Sequence, residues 1–325
     1  MAFPSRVHPA YLLIGLVCFL VAPIPLAAAD YTVTPILLDD ENPDRVTFGK
    51  LSWRGGVAIT GGDGRFGGLS ALHISASGDR LLAISDRGNW LTAMLRYRDG
   101  ALSTVADFRI APLLDHTGQP VTGRQADSES LARTDDNGFI VSFERRHRLW
   151  RYTGTPDPTR STPTPLRTPE GFQDLPSNGG IEALTRLCDG RLLAIAEKSV
   201  ARRDTVAAWV QSDTGWQELA YRTTAGLRPT GAATLPNCDV VVSERSFGML
   251  AGLDIRISQI SASSIKAGAV LEPEPLASLS DLLTIDNFEG IAARRNAAGD
   301  TLIYLISDDN FSAVQRTLLM MFALD

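Results

Sequence analysis

The sequence predicts an all-β protein, a β-propeller of five to six four-stranded blades, and three observations predict it. Segments of one grammar recur: GLSALHISASGDRLLAISDRG (68–88), ESLARTDDNGFIVSFER (129–145), GIEALTRLCDGRLLAIAEK (180–198), GAATLPNCDVVVSER (231–245) and EGIAARRNAAGDTLIYLISDD (289–309). Each is an apolar run, a polar turn, a second apolar run and an acid. The closing acids Asp86, Glu144, Glu197, Glu244 and Asp308 are 58, 53, 47 and 64 residues apart. A period of roughly 50 residues built from short strands is the mark of stacked sheet modules. The apolar runs (LLAIS, FIVSF, LLAIA, VVVSE, LIYLIS) are strand-length and bounded by turn residues, and no window shows a long helical period. Gly78-Asp79, Asp136-Asn137-Gly138, Asp189-Gly190 and Asn237 stand where tight hairpins need left-handed backbone.

The chain opens with a different kind of segment. A weakly basic start (Arg6, His8) precedes the apolar run 11–22, a Pro23–Pro25 break and Ala27-Ala28-Ala29 before Asp30. Small residues at the −1 and −3 positions make 1–29 a signal peptide cleaved after Ala29, leaving one domain, 30–325. The run is short for a membrane span, so the mature form is expected to have none and to be periplasmic or secreted.

Further strands fill the repeat: 91–100, 104–112, 147–154, 207–221 and 252–260 bring each unit to about four strands. A sixth unit would come from 31–38 and 46–60, closed by the C-terminal strand 317–324, because joining the chain ends removes open sheet edges. The Pro/Thr-rich stretch 153–171 reads as a surface loop, since the repeat resumes after it.

Composition narrows the function. With 31 Lys+Arg against 37 Asp+Glu the net charge is −6, which excludes a nucleic-acid binder dependent on counterion release. Hydrophobic residues at 44% and charged residues at 21% describe a folded chain. Cys18 leaves with the signal peptide. Cys188 and Cys238 fall in inner turns of consecutive units, which should lie side by side, so a disulfide is expected between them if their Cα atoms come within about 5.5 Å.

Hairpin arithmetic places the acids. A two-residue turn at Asp189-Gly190 would pair Glu182 with Glu197, and a turn at Asp136-Asn137 would pair Glu129 with Glu144. Both acids of a unit then sit at the open end of its hairpin, and the open ends of a propeller share one face. Eight carboxylates (Asp86, Glu129, Glu144, Glu182, Glu197, Glu244, Glu289 and Asp308) would rim one mouth. Their repulsion would be relieved by Arg87, Arg145, Lys198 and Arg245, each directly after a closing acid, or by a metal ion. An oxygen-only donor set suits Ca²⁺. The plainer alternative is a set of structural ion pairs. His73 reads as a core or channel histidine, and His147, within Arg145–Arg148, as a solvated strand face. No G-x-S-x-G elbow, H-E-x-x-H, P-loop or dinucleotide motif is present.

GGLSAL with AISDRGN, GGIEALTRL with DGRLLAIAE, VVVSERSFG, and above all IDNFEGIAA with LISDDNFSAVQRTLLMMFAL resemble the bacterial family called esterase-like activity of phytase, from about Phe66 to Leu324. The resemblance implies an exported propeller and, by the family's name, hydrolysis of an ester or phosphoester. No catalytic residue is carried over. The expectation is a monomeric hydrolase whose acid rim holds Ca²⁺, with Arg87, Arg145, Arg245 and Asn310 contacting a small anionic or ester substrate. Its rivals are a non-catalytic propeller binding a cell-envelope partner or sugar, and a lactonase-like propeller.

Overall fold

A computed structural model describes Met1 and residues 30–155, 157–198, 204–224, 226–248 and 252–325. Apart from Met1, the expected signal peptide lies outside the described residues. No helix among the described residues is long and apolar enough to cross a membrane.

Among the described residues the alternating and continuously apolar runs form twenty-three strands and four short 3₁₀ turns. β1 (Tyr31–Ile36), β2 (Thr47–Phe48) and β3 (Leu51–Gly61) open the chain. Blade one is β4 (Leu69–Ile74), β5 (Arg80–Ser85), β6 (Asn89–Arg98) and β7 (Ala101–Pro112). Blade two is β8 (Ser128–Arg133), β9 (Phe139–Phe143), β10 (Arg148–Tyr152) and β11 (Thr164–Leu166). Blade three is β12 (Ile181–Arg186), β13 (Leu192–Ala196), β14 (Thr205–Ser212) and β15 (Gly215–Arg222). Blade four is β16 (Arg228–Thr234), β17 (Val240–Gly248), β18 (Gly252–Ile260) and, beyond β19 (Val270–Leu271), β20 (Glu274–Ser280). β19 leaves blade four to pair in parallel with β15. The chain ends in β21 (Phe288–Arg295), β22 (Thr301–Ser307) and β23 (Thr317–Leu324).

The blades number five. The N-terminal strands build no sixth: β3 pairs with β23, and β1 with β3, so one sheet runs β1-β3-β23-β22-β21 and closes the wheel from both chain ends. Pairing the termini removes two sheet edges at once, whereas a sixth blade would have left them open. The Pro/Thr-rich stretch contributes β11, the outer strand of blade two.

The inner strands β4, β8, β12, β16 and β21 neighbour one another in a closed ring. The core is correspondingly divided. Five apolar clusters each fill one interface between consecutive blades, such as Trp90, Phe139 and Tyr152 between blades one and two, or Leu193, Val210 and Tyr221 between three and four. Hydroxyls staple the inner ring. Ser128 Oγ donates to Ser85 O at 2.6 Å, Ser130 Oγ to Ile181 O at 3.0 Å, Thr234 Oγ1 to Arg186 O at 2.8 Å and Thr230 Oγ1 to Phe288 O at 2.9 Å. Each satisfies a buried polar group across a blade boundary.

The hairpin register differs by one residue from the two-residue-turn arithmetic. Leu187 N–H bonds Arg191 O, and Thr134 N–H bonds Gly138 O, so the loops are three residues long, each with a left-handed position (Gly190, φ 93°; Asn137, φ 59°). Glu182 and Glu129 therefore face no partner on the second strand. Each sits on a bulge: the register skips between Ile181 and Ala183 and between Ser128 and Ser130.

Cys188 and Cys238 occupy these turns in blades three and four and form a disulfide with a Cα–Cα distance of 5.5 Å.

Candidate functional site

All five inner strands carry the bulge at the same place. The register skips one residue in β4, β8, β12, β16 and β21, and the skipped residues are Ser70, Glu129, Glu182, Thr230 and Glu289. A bulge re-aims a side chain out of the pleat, and three of these residues, Ser70, Glu182 and Glu289, line a small cavity between the inner strands. Just above, four closing acids share a backbone position. The N–H groups of Asp86, Glu144, Glu197 and Asp308 donate to the carbonyls of Gly68, Asp127, Gly180 and Asn287 at 2.8–2.9 Å.

Glycine makes room at two of these points. Gly68 has φ +62°, and a Cβ there would run into the Asp86 carboxylate. At Gly180 a Cβ would stand 2.8 Å from Glu144 Cγ and 3.0 Å from His147 Nδ1. Gly180 N–H instead donates to Glu144 Oε1 at 3.3 Å, linking blade two to blade three.

The structure brings seven of the eight expected carboxylates into one electrostatic group, with two more that the repeat did not mark, Asp127 and Asp309. Burial, then Asp127 and other acids around it, pushes Asp86 up to about 6. Burial raises Glu144 to about 7 against the pull of the Gly180 N–H, and raises Asp308 to about 8 with Glu289 and Asp86 adding to the effect. Glu129, Glu182 and Glu289 are raised by burial first; neighbouring acids add to the rise for Glu129 and Glu182, while Arg245 opposes it for Glu289. Carboxyls so placed hold protons or cations. Oxygens of Asp127, Glu129 and Glu144 lie within 4.8 Å of one another, a spacing that would admit a metal ion.

Glu244 stands apart. It is fully buried and takes a bidentate pair from Arg256 (Nε–Oε2 2.8 Å, Nη2–Oε1 3.0 Å) and a bond from Ser258 Oγ at 2.6 Å.

The basic residues divide the mouth. Arg145 binds Asp127, and Arg245 reaches Glu289 Oε1 at 3.4 Å. Glu197 lies between Lys198 (2.5 Å) and Arg228 (3.6 Å). Arg87 stacks over the Phe311 ring at 3.2 Å. Asn310, with left-handed backbone (φ 48°), donates its N–H to Asp308 Oδ1 at 2.6 Å while its side chain is exposed. Lys198, Arg228 and Arg245 thus stand on blades three and four and Arg87 and Arg145 on blades one and two, while the raised carboxyls lie on blades one, two, three and five.

His147 is buried rather than on a solvated strand face. Its Nε2 lies 3.2 and 3.1 Å from the carbonyl oxygens of Leu175 and Pro176, because the turn before β10 places this side chain against the loop that enters blade three. His73 sits beside Phe139 at 5.2 Å, and burial pushes it down to about 4.

Sequence reasoning missed Asp127, Asn287 and Arg228. The signal was available: each stands two residues before a bulge residue, where blades one and three have Gly68 and Gly180. The shared position became visible only through the register.

The description "Phytase-like: Esterase-like activity of phytase" matches residues 64–311, more than half of the chain and every residue of this mouth. The chain belongs to the phytase-like family. No curated protein matches it. Among solved structures the phytase-like chain is similar to a virginiamycin B lyase from Staphylococcus aureus (TM-score 0.43, 11% identity, 91% of this chain and 100% of that one). It is also similar to a luciferin-regenerating enzyme (0.42, 11%, 80% and 93%) and to a putative gluconolactonase (0.41, 12%, 89% and 100%). No residue of the phytase-like mouth is assigned from these structures.

Proposed function

We propose that the axial mouth is the active site of an exported hydrolase acting on a phosphoester or carboxylic ester with the help of Ca²⁺. The observation that carries this reading is the convergence of Asp127, Glu129 and Glu144 oxygens within 4.8 Å, on a rim whose other carboxyls resist ionisation. The donors are all hard oxygens without imidazole or thiolate, which fits Ca²⁺ better than zinc or copper. Bound there, the ion would supply Lewis-acid polarisation of the ester or phosphoryl oxygen.

The chain's own residues would do the rest. Asp308, raised to about 8, holds a proton at neutral pH; its Oδ1 is occupied by the Asn310 N–H, which leaves Oδ2 to carry that proton toward a leaving alcohol. Asp86, raised only to about 6 and with Oδ1 unpartnered, is the matching proton acceptor. Two interacting carboxyls with separated affinities are how one site supplies both acid and base. Arg87, which stacks on Phe311 and makes no ion pair among the described residues, would orient the negative end of the substrate. The disulfide fits an oxidising compartment, as export requires.

The test is turnover on a panel of phosphomonoesters and aryl esters, with Ca²⁺ and with chelator. The expected result is Ca²⁺-dependent release that Asp308→Asn lowers by about 10²-fold or more. No turnover on any member under either condition would overturn the reading. One observation favours a second reading, a non-catalytic propeller that binds an envelope partner or sugar: Arg145, Lys198, Arg228, Arg245 and Arg256 are all already paired with rim acids. That reading expects partner capture without turnover.

A further inference from the structure

The face that carries the rim also carries the most exposed apolar side chains. Beyond Met1, Val314, Leu282 and Phe247 are 90%, 85% and 74% exposed, and the next large hydrophobic among the described residues is Val46 at 47%. All three stand on the mouth side of blades four and five. Phe247 lies three pairs past Glu244 in the β17–β18 ladder, opposite Leu253. The same hairpin packs on the segment after β20, since a Cβ at Gly252 would meet Asp281, the neighbour of Leu282. That segment also receives the loop of Val314: Arg316 donates its N–H to Asp286 Oδ2 at 2.9 Å and its Nη2 to Ile285 O at 3.2 Å. Across the mouth, on blades one and two, Arg87, Arg124 and Arg146 are exposed, and among the described residues none of them makes an ion pair. They sit on neighbouring loops. Arg148 clamps two of these by donating Nη1 to Arg146 O at 3.0 Å and Nη2 to Gln125 O. Gly88, next to Arg87, comes so near the third that a Cβ would stand 3.0 Å from Ala126 Cβ.

We infer that the mouth face docks on an anionic lipid surface, with Phe247, Leu282 and Val314 entering the headgroup region and Arg87, Arg124 and Arg146 answering the lipid charge. Apolar insertion and basic residues together are what hold a protein on such a surface. A protein partner would need a continuous complementary surface of about 800 Å², whereas lipid has no fixed shape and accepts separate projecting side chains. The chain's net charge of −6 does not forbid the contact, because physiological salt confines each exposed charge to about 8–10 Å. The docking stands whether or not the rim is catalytic.

The experiment is co-sedimentation of the mature chain, which holds every described strand, with vesicles of phosphatidylcholine alone and of phosphatidylcholine with one-third phosphatidylglycerol. Chelator is present, so that Ca²⁺ cannot bridge an acid to the lipid. Three proteins are compared: wild type, Phe247→Ser/Leu282→Ser/Val314→Ser, and Arg124→Glu/Arg146→Glu, each checked for native circular dichroism. Wild type should bind the anionic vesicles, about tenfold or more weaker without phosphatidylglycerol and weaker as salt rises. Each variant should lose about tenfold or more in affinity for the anionic vesicles. Wild type left in the supernatant with both vesicle types would overturn the docking, and so would variants that bind as wild type does. Retention on a soluble polyanion without vesicle binding would overturn it in favour of an anionic polymer. A shift from dimer to monomer in the serine variant, with no vesicle binding by wild type, would overturn it in favour of a second copy of the chain. Should the serine variant not fold, the charge variant alone decides. No turnover is measured, so the outcome is independent of the ester panel.

Discussion

Glu144 Oε1 accepts the backbone N–H of Gly180 at 3.3 Å, so an acid ending the second strand of blade two caps the entry to the inner strand of blade three. The contact exists because residue 180 has no side chain. Gly180→Ala would place a methyl 2.8 Å from Glu144 Cγ, against a buried His147 that has no room to retreat. Chemical denaturation should show a loss of about 1–3 kcal/mol, the range for overpacking. Calcium affinity of the rim should fall with it, since Glu144 must move.

The rim also makes stability depend on pH in an unusual direction. Asp86, Glu144 and Asp308 are raised from ordinary values of 3.8, 4.5 and 3.8 to about 6, 7 and 8. A raised group binds more protons folded than unfolded, so its contribution is fully present below the unfolded value and is lost as pH rises through the folded one. Without metal, the thermal midpoint should therefore fall between about pH 4 and pH 8. With saturating Ca²⁺ the decline should flatten, because a cation replaces the protons. A midpoint rising steadily with pH across that window in chelator would contradict the burial of these carboxyls.

The disulfide closes a separation of 50 residues across two blades. Loop-entropy reasoning assigns it about 4 kcal/mol. Cys188→Ser/Cys238→Ser should lose an amount of that order in denaturant titration. Cys238 has φ +74°, a left-handed position that disfavours any side chain. Cys188→Ser/Cys238→Gly should consequently recover about 1 kcal/mol relative to the double serine variant.

Glu244 should behave unlike the other rim acids. Its charge is spent on Arg256 and Ser258 inside blade four. Arg256→Met strands a buried carboxylate and should cost about 3–5 kcal/mol. Calcium stoichiometry, read by titration on the folded fraction, should be unchanged, whereas substitutions at Asp127 and Glu144 should alter it.

The repeat, the strand-type residues and the turn residues were enough to read a propeller from the sequence, because the periodicity of apolar runs is local and each hairpin carries its own grammar. The closing acids were legible for the same reason, being the last residue of every unit. The side-by-side turns that join Cys188 to Cys238 followed from the repeat as well.

What only the tertiary structure decided is how the rim is shared out. A three-residue loop instead of a two-residue one, and a bulge in every inner strand, shift Glu129, Glu182 and Glu289 from paired strand positions to the axis. Nothing in the spacing of 182 and 197 distinguishes the two registers, since both strands are buried along almost their whole length and lack the one-sided alternation that pins a register. The gathering of Asp127 with Glu144 and the withdrawal of Glu244 to Arg256 depend on contacts between distant strands. The sequence by itself determined the wheel and its acidic face; the packing of blade against blade determined which acids keep a charge partner and which are left to share a cation or a proton.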